Sequence, residues 1–527
     1  MGDLNGCSRR RADDPPAPLT TADRTLAHGG PAIQTEGDAP DHDLHHPLPL
    51  RPDRPRRRHP RDRDGPDRPG HRGQGAVVHR LPGVPLTPGS EEARAAERRV
   101  REDDRNHVFH SWAAQATIDP MPVAAAQGAH FYAYDGTRYL DLGSQLVSAN
   151  LGHNHPDLVE AIRRQAGRVT NLNPAFADDV RGELARRLVD RAQGDFSHVF
   201  FTNGGADAVE HAIRMARLHT GRRRILSAFR SYHGATGSAI MATGEARRHG
   251  NPTTDGDIEH FHGPFLHHSE FYSGSEEQEC ERALTHLEHT IQAWGPKETA
   301  AVLIESVVGS SGVIVPPDGY LQGVREICDR YDLLYIADEV MVGFGRTGTL
   351  FAYEHGGPEV RPDLVTFAKG VNSGYVPLGG VLISPAVYGT FAERPYPGGL
   401  TYSGHPLACA PGVAALDVYE RDGIFERVAD LGERVLRPAL ERIGAEHPSV
   451  ADVRGRGFFW ALEFSDGQGG APDLSGFAAE LKAAGIWPMV SGPRLHIAPP
   501  LITAEEDLVA ALEAVDRAVS GVDAQLS

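Results

Sequence analysis

Leu333-Leu334-Tyr335-Ile336-Ala337-Asp338-Glu339-Val340 is an apolar run that ends on two adjacent carboxylates. Five apolar residues in succession suit a strand buried on both faces, the habit of the central strands of a parallel sheet. Outward from it, Asp363–Phe367 (DLVTF) runs into Ala368-Lys369-Gly370. His198–Phe201 (HVFF) leads through Gly204-Gly205-Ala206 into the helical pattern AVEHAIRMARLH. ILSAF (225–229), AAVLIES (300–306) and GGVLIS (379–384) alternate with further helical patterns such as YLQGVREICDRY. Short apolar runs separated by helices predict an α/β/α domain on a large, mainly parallel sheet. The last hundred residues differ: VRGRGFFWALEF (453–464), a helix through FAAELKAAG and RLHIAPPL (494–501) predict a smaller α+β unit. The segment FYAYDGTRYLDL (131–142) is expected to join it.

The chain of 527 residues carries a formal charge of −18, which argues against nucleic acid or an anionic membrane as its main partner. Its 53 basic residues include three lysines, Lys297, Lys369 and Lys482, so fifty are arginine. Such a bias spends arginine wherever a plain positive charge suffices. A lysine kept in a glycine-rich loop points to a need for an amine that can lose its proton. The four cysteines are scattered without a CxxC pair, which suggests neither a disulfide framework nor a zinc site. No stretch of 18 apolar residues occurs, so a cytoplasmic enzyme is expected. Residues 1–100 hold no Phe, Tyr or Trp and 15 of the 39 prolines, too little apolar bulk to offset chain entropy. The expected organisation is a disordered leader over 1–95, an N-terminal part of the small domain over 96–160, a large domain over 161–415 and a small domain over 416–527.

Ligands of open α/β sheets sit beyond the carboxyl ends of the strands, so the three strand ends can converge on one crevice. Gly204, Gly205 and Ala206 leave backbone N–H groups free at a helix start, where the dipole favours an anion such as phosphate; an ordinary strand-to-helix turn has the same appearance. Asp338, at the end of so apolar a strand, needs a partner: it caps a turn or holds a cationic ring nitrogen. Lys369 lies where a desolvated amine can attack a carbonyl, whereas Lys297 and Lys482 read as solvated surface residues. A phosphate cradle, an acid for a ring nitrogen and a Schiff-base lysine are together what pyridoxal phosphate requires.

From about Arg105 to Thr503 the motifs FTNGGADAVEHAIRMAR, SYHGATGS, IADEVMVGFGRTG, TFAKG, PLGGV and TYSGHPLACA resemble those of the class III aminotransferases, pyridoxal-phosphate enzymes of fold type I. The resemblance implies that Lys369 forms the Schiff base and moves the proton, that Asp338 pairs with the ring nitrogen, and that Val340 and Tyr232 cover the two ring faces. It places His233 and Glu305 among the cofactor contacts, and Gly204, Gly205 and Ala206 around the phosphate. Thr401 would reach the phosphate of a neighbouring subunit, which implies a homodimer with the active site at its interface. Arg454, Ser310 and Val147 fall on the substrate side. Where some relatives mask the arginine of an RGxG motif with a glutamate, this chain has Ser310, so Arg454 is expected to stand unmasked. Met489 occupies the position of a mobile arginine in another branch. The stretches HSWAAQ (110–115) and EEQECERALTHLEHTIQAWGPKETAAVLIESVVGSSGVIVPPDGYLQGVREICDRY are most similar to taurine:pyruvate-type enzymes, which implies an ω-amino acid donor and pyruvate as acceptor. A 2-oxoglutarate-linked ornithine or 4-aminobutyrate aminotransferase, or an aminomutase or racemase, would use the same cofactor residues.

Gly343-Phe344-Gly345-Arg346-Thr347-Gly348 matches G-x-G-x-x-G with Asp363 twenty residues on, but no full crossover helix follows, so a dinucleotide site is not expected. The pairs His153/His155, His260/His262 and His267/His268 lack flanking ligands, and no metal is expected. A pyridoxal-binding regulator would carry a helix-turn-helix domain, and the leader shows none.

Overall fold

The computed structural model describes residues 81–251 and 256–526. Its centre is a seven-stranded sheet: β1 (His198–Thr202), β2 (Arg224–Ala228), β3 (Ile258–Phe261), β4 (Thr299–Glu305), β5 (Leu334–Asp338), β6 (Leu364–Phe367) and β7 (Gly379–Ile383), in the order β1-β7-β6-β5-β4-β2-β3. β7 is antiparallel to both its neighbours, and β3, β2, β4, β5 and β6 run parallel. Every side chain of β4 and β5 is buried, as helices on both faces require. Each fully buried Leu, Ile or Val there contributes about 1.5–3 kcal/mol.

The register matters for the site. Glu305 of β4 stands opposite Asp338 of β5, and Asp338 opposite Thr366 of β6. Residues directly opposite one another point to the same side, so one row of three polar side chains closes the carboxyl end of the sheet.

Two four-stranded sheets lie outside this centre. In one, Arg138–Asp141 pairs in parallel with Ile486–Trp487, tying the first strands to the last part of the chain. The other is ordered Val450–Arg456, Phe459–Phe464, Arg494–Ile497, Met489–Ser491. The helix Pro406–Arg421 runs unbroken across the division expected at residue 415, because it packs on the helices Pro156–Ala166 and Asp179–Arg191 along its length. Residues 1–80 of the expected leader lie outside the described residues. Its end departs from the expectation: Glu91–His107 is a helix capped by the Ser90 side chain, and Leu81 and Ala93 are buried. Among the described residues no helix is long and apolar enough to cross a membrane.

Candidate active site

Asp338 is the centre of the row. Its Oδ2 accepts from His233 Nδ1 at 2.6 Å, and its Oδ1 accepts from Thr366 Oγ1 at 3.0 Å and from Val340 N at 3.1 Å. Burial alone would lower the pKa of His233, but Asp338 outweighs it and the net shift is upward. His233 Nε2 is buried without a partner. Glu305 accepts from Tyr232 N and from Gly309 N, both at 2.8 Å, and strong burial pushes its carboxyl up to about 7. Glu339, next in sequence, has a different environment: it accepts from Ser306 Oγ, Ala352 N and Tyr353 N, fixes the turn after β5, and is pushed by burial up to about 8.

Lys369 begins the turn after β6 with φ +42°, a left-handed conformation that costs a β-carbon residue about 1–3 kcal/mol. Gly370 makes that turn possible, since a Cβ there would lie 2.5 Å from Asn150 Nδ2. Burial lowers the pKa of the Lys369 amine, opposed by the nearby Asp338 and Glu305. Across the crevice, the helix Gly205–Thr220 begins after Gly204 with no side-chain cap. A Cβ on Gly205 would lie 2.6 Å from Val340 Cγ1, and one on Gly234 equally close to Ala206 Cβ. Glycine therefore keeps the space at the helix start for something other than side chains.

These residues fit pyridoxal phosphate: uncapped N–H groups at a helix start, a buried acid backed by His233 and Thr366, and an amine biased by burial towards its neutral form. Gly204, Gly205, Ala206, His233, Glu305, Asp338, Val340 and Lys369 are brought to one crevice. Thr401 is exposed in the turn before Pro406–Arg421.

The expectations for the substrate side change. Val147 is wholly buried in a small apolar cluster with Val307, Val313 and Val342, because positive φ at Ser144, Gln145 and Val147 turns it inward; it has no surface to offer a substrate. Arg454 is masked after all. Its Nη1 pairs with Asp452, its Nη2 with Glu463 Oε2 at 2.5 Å, and its Nε donates to Gly312 O at 2.6 Å. The masking acids come from its own sheet, two residues away and across one strand, and not from the loop of Ser310, whose Oγ is buried without a partner.

Two groups were not legible in the sequence. Thr366 takes its role from register. Arg247, on a one-turn helix over Ala246–Gly250, stands 3.9 Å over the ring of Tyr232 and 5.8 Å from that of Trp112, and pairs with Glu245. Among fifty arginines nothing in the sequence marked this one. His267 and His268 gain Glu463 as a third potential ligand within 4.8 Å, but Glu463 is already committed to Arg454. Gly343–Gly348 forms a turn held by the fully buried Arg346, which donates to Phe458 O, Pro499 O and Asn150 Oδ1.

Fold and site together define a pyridoxal-phosphate enzyme of fold type I. Residues 112–519 match the family described as aminotransferase class-III. A solved taurine:2-oxoglutarate aminotransferase from Bifidobacterium kashiwanohense, in complex with PLP and glutamate, is 39% identical with a TM-score of 0.79, covering 82% of this chain and 99% of that one. A beta-alanine–pyruvate aminotransferase of Pseudomonas aeruginosa is 31% identical over 77% of this chain and 93% of its own length. An acetylornithine aminotransferase of Mycobacterium bovis is 36% identical over 76% and 93%. The chain belongs to the class III aminotransferases. It uses pyridoxal phosphate to transfer an amino group between an amino donor and a 2-oxo acid.

Proposed function

We propose that the donor is an ω-amino acid of the taurine or β-alanine kind and that pyruvate is the acceptor. One observation carries the donor: the guanidinium of Arg247 stands 3.9 Å over the Tyr232 ring, with Trp112 at 5.8 Å and Glu245 as its ion-pair partner. A guanidinium set over a ring keeps the N–H donors that Glu245 does not engage available to a further anion, which suits a sulfonate or carboxylate. The solved relative that acts on taurine and the Pseudomonas relative that acts on β-alanine support this reading. The acceptor named for the first of them favours a second reading, 2-oxoglutarate in place of pyruvate.

Bound pyridoxal phosphate supplies an electron sink for negative charge at the substrate's Cα. Lys369 holds the cofactor's carbonyl carbon and carries the proton at Cα, a task that suits an amine whose pKa is lowered by burial. Asp338 keeps negative charge against the ring nitrogen, with His233 and Thr366 fixing its carboxylate. Gly205 and Ala206 donate backbone N–H groups to the phosphate, with Gly204 lining the approach. Val340 and Tyr232 close the two faces of the slot, and Glu305 holds Tyr232 by its backbone. The exposed Thr401 completes the phosphate site of a second copy, making the enzyme a cytoplasmic homodimer with shared active sites.

A half-reaction panel tests the donor. Taurine and β-alanine are expected to convert the cofactor to its amine form faster than ornithine, 4-aminobutyrate or a simple amine. Conversion by ornithine and 4-aminobutyrate alone overturns the reading.

A further inference from the structure

Asp452, Glu463 and Arg494 lie in one cross-strand row of the second small sheet, each directly opposite the next, so their side chains share a face. Glu463 stands between the other two, yet both its oxygens are taken: Oε2 by Arg454, and Oε1 by His268 Nε2 at 2.8 Å. Arg454 in turn is saturated by two carboxylates and the Gly312 carbonyl. Arg494 is left over. Among the described residues its guanidinium makes no hydrogen bond or ion pair; Glu463 and Glu245 act on it from beyond ion-pair distance, and its Nε is buried without an acceptor. A guanidinium held in this way is costly unless something else supplies the anion.

Its surroundings say where that anion comes from. Arg494 packs on the loop that follows β4: a Cβ on Gly312, at φ +116°, would lie 2.7 Å from Arg494 Cδ and 2.6 Å from Arg454 Nη2. It borders a cavity of about 480 Å³ with Ser311, Gly244, Glu245 and Phe265. Glu245 on that wall is the partner of Arg247, and Arg247 covers Tyr232. Arg494 and the acid that holds Arg247 therefore line one cavity, and Arg247 links that wall to the Tyr232 ring.

We infer that Arg494, and not Arg454, receives the α-carboxylate of the 2-oxo acid acceptor. This deepens the proposed function on its acceptor side and rests on 2-oxo acid chemistry, whichever 2-oxo acid is used. Arg247 then serves the distal acid group of the donor and Arg494 the α-carboxylate of the acceptor, so neither half-reaction has to displace Glu463 from Arg454.

The test uses the holoenzyme and the variants Arg494→Gln, Arg494→Lys and Arg454→Gln, with pyruvate and 2-oxoglutarate as acceptors. Loss of a charge-assisted pair predicts a KM for the oxo acid raised about tenfold or more in Arg494→Gln. The half-reaction with an amine bearing no acid group is expected to respond far less. Arg494→Lys recovers part of the KM, because charge returns without the fork. KM values in Arg494→Gln within about twofold of wild type for both oxo acids, or loss of cofactor absorbance in both Arg494 variants, overturn the inference. A larger KM effect in Arg454→Gln than in Arg494→Gln also overturns it. If the wild type accepts 2-oxoglutarate and not pyruvate, the acceptor reading falls, while the Arg494 comparison made with 2-oxoglutarate still decides the inference.

Discussion

On the floor of the crevice, Glu305, Asp338 and Thr366 form a row across β4, β5 and β6 in which both carboxylates receive donors from neighbouring backbone or side chains. On the second small sheet, Asp452, Glu463 and Arg494 form a second three-residue row, across antiparallel strands, and there the charges compete. Two acids and His268 engage Arg454 and one another, and Arg494 is left without a partner. The floor is a completed network poised for a cofactor. The other row is an incomplete one, and the missing member is an anion. A three-residue cross-strand row, parallel on the floor and antiparallel on the small sheet, therefore yields either a fixed scaffold or a vacancy in charge, depending on whether donors and acceptors balance.

The largest effect that would break the contrast lies on the floor. Lys369→Ala is expected to abolish the absorbance of the lysine-bound cofactor and to lower turnover by about 10³-fold or more. Lys297→Ala and Lys482→Ala keep both, and a surviving band in the Lys369 variant would refute the assignment. Asp338→Asn removes the charge opposite the ring nitrogen and frees His233. Turnover should fall about 10²-fold with the melting temperature little changed, and the raised pKa of His233 should drop, as NMR titration would show.

Arg454→Gln sharpens the other side of the comparison. It leaves Glu463, 6% exposed, without its main countercharge, so the expected cost is stability, about 3 kcal/mol by denaturant unfolding. Glu339→Gln turns one of the two oxygens that accept three hydrogen bonds in the turn after β5 into an NH2 donor, leaving at least one buried donor without its acceptor; a loss of about 1–3 kcal/mol with an unchanged cofactor spectrum is expected. A reversed outcome, activity lost and stability kept, would show that Glu339 belongs with Asp338.

The smallest effect lies outside both rows, at the start of the strand Val450–Arg456. His447 is gripped by Asp523 at 2.6 Å and Asp516 at 2.8 Å, holding the last helix, Glu505–Asp523, to the sheet's flank. Burial would lower its pKa, but the two aspartates raise it overall. A histidine whose pKa is raised on folding adds stability that is complete below its unfolded value and disappears as pH rises through the folded one. His447→Gln should therefore melt about 1–2 °C below wild type in mildly acidic buffer. The gap should close in alkaline buffer; a gap independent of pH would mean that packing, and not charge, is lost.

Much of the floor was legible because its residues sit at the ends of apolar runs. Asp338 stands after five apolar residues and Lys369 after DLVTF, so strand, end and chemistry were read together. Thr366 lay inside the same run, but its bond to Asp338 depends on the pairing of β5 with β6, which no local pattern encodes. The substrate side was misread where short-range logic was applied to a long-range question. Ser310 in place of a glutamate said nothing about Asp452 and Glu463, which mask Arg454 from within its own sheet. Val147, placed on the substrate side by the family resemblance, is turned into the core by positive backbone angles.

The three lysines and fifty arginines mark the boundary between the two kinds of knowledge. Rarity made Lys369 visible, because an amine that must shed its proton cannot be replaced by a guanidinium, so the sequence alone determined the cofactor chemistry and the strands that carry it. Abundance hid Arg247 and Arg494, since one arginine among fifty carries no signal. Arg454 is held by two acids of its own sheet, Arg247 is set over the Tyr232 ring beside Glu245, and Arg494 has no ion pair; only the tertiary structure decided these placements, by bringing together strands and loops distant in the chain.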